Sequence, residues 1–234
     1  MKKKIMILTA AFTLALGLGA CGAGNAESTA QTEAETAAPD ADQDTETAGE
    51  NTDSQGTDGS RILIAYFTAA ENSGVDAVAS ASYSDVNGEA KGRMQALAEM
   101  IQDVTGGDLF PIRTEETYPA DGGDLIDYAS QEQSEDARPA LTTHIENPDD
   151  YDIIFVGYPI WWGIAAWPVD SFVETNDFTG KTVIPFCTSA SSGLGDSGAL
   201  LAEMAGTGDW QEGMRFRSGA DEADVQEWVS GLGL

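Results

Sequence analysis

The amino-acid sequence predicts an α/β domain built on a parallel sheet with helices on both faces. Three observations lead there. Apolar runs of strand length recur at ILIAYF (62–67), YDIIFVGYP (151–159) and KTVIPFC (181–187), and runs without polar interruption suit strands buried on both faces. Segments with apolar residues at helical spacing stand between these runs. Strands alternating with helices return to the sheet in parallel, and such sheets bind ligands outside the carboxyl ends of their strands, where the strand order switches.

Taken in order, the run at 62–67 is the first strand, and an irregular stretch, TAAENSGVDAVASASYSDVNGEAKG, follows it. In GRMQALAEMIQDV the residues Met94, Leu97, Ala98, Ile101 and Val104 recur at helical spacing, and Gly106-Gly107 ends the helix. LFPIR (109–113) reads as a second strand, confined to a sheet edge because Pro111 donates no ladder hydrogen bond. The polar segment to Asp136 carries a short surface helix around 125–132. The third strand, 151–159, runs into three of the chain's five tryptophans, Trp161, Trp162 and Trp167. Pro168 suits the first turn of a helix continuing through Val169, Phe172 and Val173. The fourth strand, 181–187, contains Pro185, which costs a ladder bond and requires an irregularity there. The glycine- and serine-rich TSASSGLGDS leads into a helix with Leu200, Leu201 and Met204. A short last strand near 214–217 precedes a helix with Val225, Trp228, Val229 and Leu232 on one stripe.

Only residues 61–234 have the composition for a core, and their number suits one domain. Residues 1–20, MKKKIMILTAAFTLALGLGA, combine a basic start, an apolar stretch and small residues, the pattern of a secretory signal. Their apolar run is shorter than the ~20 residues a bilayer crossing needs. Leu18-Gly19-Ala20-Cys21 resembles the lipobox of bacterial lipoproteins. That likeness implies a diacylated Cys21 as the mature N-terminus, held at the outer face of the cell membrane by several acyl chains. Residues 22–60 contain no Lys, Arg or aromatic residue and read as a disordered acidic tether, extended by its own charge. The chain thus divides into a signal (1–20), a lipidated tether (21–60) and a domain (61–234).

The formal charge is −29, and it becomes −32 once Lys2, Lys3 and Lys4 leave with the signal. Such a field excludes nucleic acid and anionic lipid surfaces as partners, and it favours basic proteins or a shielded small ligand. Cys187 has no partner cysteine in the domain and reads as a small, half-buried residue at a strand end. The single histidine, His144, lies away from the strand carboxyl ends and reads as a surface residue. No Ser/His/Asp set and no Cys/His cluster with metal spacing is present in the sequence. Asp121, Asp124 and Asp127 form a polar helix face.

YDIIFVGYPIWWG, KTVIPFCTSASSGLGDS, ILIAYFT and the YP…ARPAL segment (118–141) together resemble the flavodoxin family over nearly all of 61–234. The pairing of YPIWWG with the SGLG loop after the next strand carries the likeness. It is similar above all to a branch whose third strand ends in a YPIWWG-like loop and which includes extracytoplasmic lipoproteins. The resemblance implies a doubly wound five-stranded parallel sheet of order 2-1-3-4-5, non-covalent FMN, and electron transfer between partners.

By position, the resemblance implies that Thr68, with Gly92, Arg93 and Met94 at the following helix N-terminus, holds the FMN phosphate. Unpaired N–H groups and the helix dipole favour an anion there. The chain departs from the family's short Thr-Gly-Asn-Thr-like loop by an insertion of about twenty residues, and by Gly92-Arg93-Met94 where Gly-Asn-Thr is expected. Met94 lacks a hydroxyl donor; Arg93 either replaces it with a charge-assisted contact or faces solvent. Each such bond contributes ~0.5–3 kcal/mol, which tunes affinity without deciding it. Pro159, Ile160, Trp161, Trp162 and Gly163 are implied to lie against the isoalloxazine ring, where aromatic faces stack. Adjacent side chains of a strand point apart, so one of Trp161 and Trp162 fills core. Trp167 either extends the platform or caps the helix at Pro168. Thr188, Ser189, Gly193, Leu194 and Gly195 are implied to offer backbone N–H groups to the pyrimidine edge, with Gly193 and Gly195 permitting close approach.

The expected function is that of a membrane-anchored, extracytoplasmic FMN protein that carries electrons to or from a basic redox partner protein. It has no catalytic residue of its own, because the chemistry is the cofactor's. Two alternatives stand beside it. One is an FMN-dependent oxidoreductase acting on a quinone with NAD(P)H. The other is a flavodoxin-shaped binding module that has lost FMN, which the altered phosphate segment supports.

Overall fold

The computed structural model describes residues 60–69, 83–86 and 89–234. All of them fall in one compact unit spanning Ser54–Leu234. The signal, Cys21 and nearly all of the tether lie outside the described residues.

The apolar run after Arg61 forms β1 (Ile62–Tyr66), and because side chains alternate across a strand it feeds two cores. Leu63 and Ala65 enter one, and Ile64 and Tyr66 enter the other. The inserted stretch is not wholly irregular: β2 (Tyr83–Val86) and β3 (Glu89–Gly92) pair as an antiparallel hairpin. This hairpin delivers the chain into α1 (Arg93–Thr105), which ends at a left-handed Gly106 whose N–H donates to the Gln102 carbonyl. Val104, expected on the apolar stripe, is exposed. β4 (Asp108–Pro111) pairs only with β1 and so occupies the sheet edge, as Pro111 requires. α2 (Gly122–Glu135) is longer than the sequence indicated, because the Asp121 side chain accepts from the Gly123 and Asp124 N–H groups and starts it early. β5 (Ile153–Trp161), the longest strand among the described residues, pairs with β1 on one side and with the later strand at Thr182–Thr188 on the other. β6 (Ile164–Ala165) folds back on its end, and α3 (Trp167–Thr175) follows with Pro168 in its first turn.

β7 (Thr182–Thr188) leads through the serine-rich loop to α4 (Ser197–Ala205). The expected last strand is split into β8 (Asp209–Trp210) and β9 (Met214–Phe216), both parallel to β7. The register slips by one residue between them, and Pro185 is the cause. Lys181 and Val183 accept from the last strand through their carbonyls, so Pro185, two residues on, turns its missing N–H the same way. The extra residue accommodates it, with Gly213 against the Pro185 carbonyl. α5 (Glu222–Leu232) closes the chain behind a capping box in which Asp221 and Asp224 each accept from the other's backbone N–H.

The order β4-β1-β5-β7-β8/β9 is the predicted 2-1-3-4-5. α1 and α5 pack with Ile64, Phe155, Ile184 and Phe216 on one face, while Leu125, Val169, Phe172 and Leu201 of α2, α3 and α4 cover the other. Gly157 in the central strand faces the Phe186 ring, where a Cβ would come within 2.7 Å of a ring carbon. At the amino ends of β1 and β5, a shallow groove is lined by Ser60, Ile62, Ile153, Gly233 and Leu234, so both ends of the domain emerge there. Cys187 is fully buried, deeper than expected, and desolvation pushes its thiol up to about 12, which makes it unreactive. His144 is exposed.

Candidate functional site

The carboxyl ends of β1, β5 and β7 come together at one pole of the sheet. The Phe67 N–H donates to the Gly157 carbonyl at 2.9 Å, which ties the chain after β1 to β5. Thr68 follows, and its side chain is buried against Gly92. A Cβ at Gly92 would lie 2.7 Å from Thr68 Cγ2, so glycine is needed for this approach. Gly92 is the N-cap of α1 and provides no side-chain cap. Thr68 and the first turn of α1 are therefore adjacent in space despite the inserted hairpin between them in sequence.

Arg93 and Met94 depart from expectation. Met94 is buried in the core with Ile64, Leu97 and Ile101, so only its backbone belongs to this corner. Arg93 is 2% exposed and does not face solvent. Its Nη2 donates to the carbonyls of Arg217 at 2.6 Å and Ala220 at 3.1 Å, clamping α1 to the loop before α5. Burial lowers its pKa. Of the two readings of Arg93, the solvent-facing one is excluded, and its Nη2 serves as a structural clamp.

The YPIWWG segment resolves into a tight hairpin. Ile160 pairs with Ala165 and Trp161 with Ile164, leaving Trp162-Gly163 as the two turn residues. Their φ values of 46° and 89° are both positive, as a type I′ turn demands. Glycine suits that conformation; Trp162 is held in it. Pro159 and Ile160 are buried in the strand. Trp161 packs edge-on to Phe67 and tilted against Tyr118, both at 5.7 Å, so it is the core-filling member of the pair. Trp162 is 48% exposed and stacks on Trp167, 6.4 Å away with 14° between the rings. Trp167 is buried, and its Nε1–H donates to the Ala129 carbonyl of α2. It therefore both supports the exposed ring and opens α3.

A Cβ at Gly195 would lie 3.8 Å from the Gly163 carbonyl, which sets the loop after β7 beside this turn. Thr188 pairs with Pro159, and its buried Oγ1 has no hydrogen-bond partner among the described residues. An unsatisfied buried hydroxyl costs ~1–3 kcal/mol, and a bound polar ligand would relieve it. Ser189 is buried and held on both sides: its Oγ donates to the Ser192 carbonyl, and Arg215 of β9 donates to its Oγ at 2.9 Å and its carbonyl at 3.0 Å. Gly193 is exposed, and Leu194 packs on the core below it. The Ser197 hydroxyl bonds the Leu194 carbonyl and Tyr158 Oη, which fixes the loop's exit.

Sequence reasoning missed three supports of this pole: Arg215, the Arg93 clamp, and a buried Tyr118–Glu132 pair. Tyr118 donates to both carboxylate oxygens of Glu132 at 2.9 Å, and its ring lies against Phe67 and Trp161. Desolvation pushes Glu132 up to about 7, against the hydrogen bond that favours its charged form. A second buried acid, Asp170 on α3, is pushed up to about 7 by desolvation, with Arg138 3.9 Å away opposing the shift. Among the described residues no group of His, Cys, Asp or Glu is arranged to hold a metal ion, and no helix is long and apolar enough to cross a membrane.

A doubly wound parallel sheet with an aromatic, glycine-bearing loop cluster at its switch point defines an α/β protein of the class whose ligand sites lie at that pole. A family model described as flavodoxin matches residues 78–232, and the chain belongs to the flavodoxin family. A solved structure assigned as a flavoprotein, from Bacteroides eggerthii, is 30% identical, with a TM-score of 0.59 over 75% of this chain and 99% of its own. Another with the same assignment, from Bacteroides uniformis, is 29% identical with a TM-score of 0.59 over 74% and 99%. A Lactobacillus acidophilus flavoprotein in complex with FMN shares the fold at 20% identity, with a TM-score of 0.50 over 73% and 99%. No curated protein matches the chain.

Proposed function

We propose that this protein binds FMN and carries electrons outside the cytoplasmic membrane, anchored there by a lipid on Cys21. The observation that carries the FMN reading is the composition of the strand-carboxyl pole. The exposed Trp162 rests on Trp167, the Gly163 and Gly195 loops lie side by side, and Thr188 Oγ1 is buried without a partner among the described residues. These residues fit a flat, polar-edged ring. Thr68, Gly92 and the uncapped first turn of α1 fit a phosphate through backbone N–H groups. The membership in the flavodoxin family and the FMN complex of the Lactobacillus acidophilus relative support the same reading.

FMN, when bound, supplies the one- and two-electron chemistry; the chain's own residues bind, orient and set the field. Trp162 and Gly163 offer the ring a face and a close backbone, while the loop at 188–195 offers N–H donors. The negative net charge, −29 for the full chain and more negative once Lys2, Lys3 and Lys4 leave with the signal, disfavours added negative charge at the site, lowering the potential, and attracts a basic partner protein.

Reconstitution tests the reading. The protein mixed with FMN should turn yellow and lose tryptophan emission, with Trp162→Ala removing most of the quenching and Trp161→Ala destabilising the fold instead. No chromophore retained and no quenching at high FMN concentration would sink it. The competing reading, a binding module without FMN, rests on Arg93 being spent on the Arg217 and Ala220 carbonyls and on Met94 being buried. It predicts that negative result. Electron transfer to a basic acceptor should slow with added salt, because steering is screened over a Debye length of ~8–10 Å.

A further inference from the structure

Glu132 is 9% exposed, and Tyr118 Oη is the donor it receives, shared between both oxygens. A carboxylate has room for about four hydrogen bonds, so this one is poorly solvated as an anion. Among the described residues no lysine or arginine forms an ion pair with it. The titratable groups around it add no positive charge. Tyr128 and Glu135 share its helix, and Glu116, in the same segment as Tyr118, faces Tyr128. On α3, Asp170 and Glu174 are engaged with Arg138. The rings of Phe67 and Trp161 cover the rest of Tyr118.

Those two rings give the pair its importance. Phe67 leads directly into Thr68, and Trp161 leads directly into Trp162-Gly163. Tyr118 touches both, so it sits behind the phosphate corner and the ring loop at once. The medium between Glu132 and the site is aromatic side chain rather than water, and charges interact strongly through such a medium.

We propose that Glu132 is the proton-accepting group coupled to the site: it takes up one proton from solvent when the site gains negative charge, with Tyr118 as its positioning residue. The inference rests on the FMN reading. Reduction delivers two electrons and one proton to the bound cofactor, leaving one added negative charge. Glu132 passes from carboxylate to carboxylic acid by binding one further proton, and no bond in the protein is broken. Protonated, it donates where it had accepted, and the Tyr118 hydroxyl turns to accept. The raised proton affinity that burial gives this carboxyl places the exchange near pH 7, where it can respond. Asp170, whose proton affinity is raised similarly, has the Arg138 guanidinium beside it and is less suited to follow the site's charge.

The test is the pH dependence of the midpoint potential of the FMN-loaded protein, reduced with dithionite in the presence of indicator dyes across the neutral range. The wild type should show a steeper fall of potential around neutrality than Glu132→Gln, which keeps the shape and an acceptor but cannot titrate. Tyr118→Phe removes the donor that favours the carboxylate, so the step should move to higher pH. Difference infrared spectra of the apoprotein give a readout independent of the cofactor: the protonated carboxyl signal titrating near pH 7 should lose the Glu132 share in Glu132→Gln and keep only that of Asp170, with the double substitution Glu132→Gln/Asp170→Asn losing both. Equal slopes in wild type and Glu132→Gln, or a carboxyl that titrates in the ordinary acidic range, overturn the proposal while leaving the FMN reading intact. Failure of FMN to bind overturns both.

Discussion

Substituting Gly92 by alanine tests the phosphate corner directly. The added Cβ would fall 2.7 Å from Thr68 Cγ2 and 3.0 Å from Thr68 Cβ, closer than nonbonded carbons tolerate. Thr68 cannot swing away, because it is 1% exposed and enclosed by the end of β1. Either α1 or the Thr68 backbone must shift. Overpacking of this kind costs ~1–3 kcal/mol, and at ~2–4 °C per kcal/mol for a domain of this size the melting temperature should fall by several degrees. Glycine is also a better N-cap than alanine, so a capping loss adds to the steric one, and the rescue by a smaller residue at 68 is what isolates the steric part. Thermal denaturation of the apoprotein reads the stability term, and titration of tryptophan emission with FMN reads the affinity term. Thr68→Ala deletes Oγ1 and Cγ2, the atoms the new methyl meets. The double substitution should therefore recover part of the loss, with a coupling of ~0.5–3 kcal/mol. If Gly92→Ala is as stable as the wild type and binds FMN equally, or if the two effects simply add, the steric reasoning fails.

Four further substitutions test other parts of the domain. Arg93→Met should destabilise by ~2–4 kcal/mol, since it leaves the Arg217 and Ala220 carbonyls without their charged donor; chemical denaturation checks this, and a variant as stable as the wild type would show the clamp to be dispensable. Trp162→Ala should change stability by no more than ~0.5 kcal/mol, as exposed sites do, yet weaken FMN binding roughly three- to tenfold by removing an aromatic contact of ~0.5–1.5 kcal/mol. Trp161→Ala should show the reverse, costing up to about 3 kcal/mol, the low end for buried aromatics, because Trp161 is half-buried against Phe67 and Tyr118. Asp170 has a folded pKa of about 7, raised by burial, so its contribution to stability is greatest at low pH and is lost as pH rises from its ordinary range through 7. Asp170→Asn should therefore stabilise the protein at pH 8 and not at pH 4, by up to a few kcal/mol, at ~1.4 kcal/mol for each tenfold gain in proton affinity on folding. Denaturant titrations at the two pH values check this, and a gain independent of pH would contradict the assignment.

The parallel core was legible because β1, β5 and β7 are buried on both faces and their runs carry no polar interruption. α1 was legible because its stripe repeats at helical spacing up to Ile101. The hairpin at Tyr83–Val86 and Glu89–Gly92 was not, since YSDV and EAKG show neither alternation nor an apolar run. Which of Trp161 and Trp162 faces out is decided by the turn. A two-residue connection with glycine second, set between IW and IA, was the signal that could have assigned it. The burial of Arg93 had no local signal. Its partners lie 124 and 127 residues away, and only the packing of α1 beside α5 brings them together. The Tyr118–Glu132 pair is hidden for the same reason: a glutamate in a polar helix reads as solvated until a tyrosine from a preceding loop is placed over it.

Ser60 and Leu234 meet at the amino ends of β1 and β5, while Trp162, Gly195 and Gly92 lie at the opposite pole. The nine residues of β5 separate the two by about 26 Å at ~3.3 Å per residue. That spacing has an electrostatic meaning. A charged surface to which the domain is attached through its N-terminus is screened over ~8 Å at physiological ionic strength, roughly a third of the distance. The potential at the aromatic pole would then be governed by the domain's own carboxylates rather than by charge beyond the opposite pole.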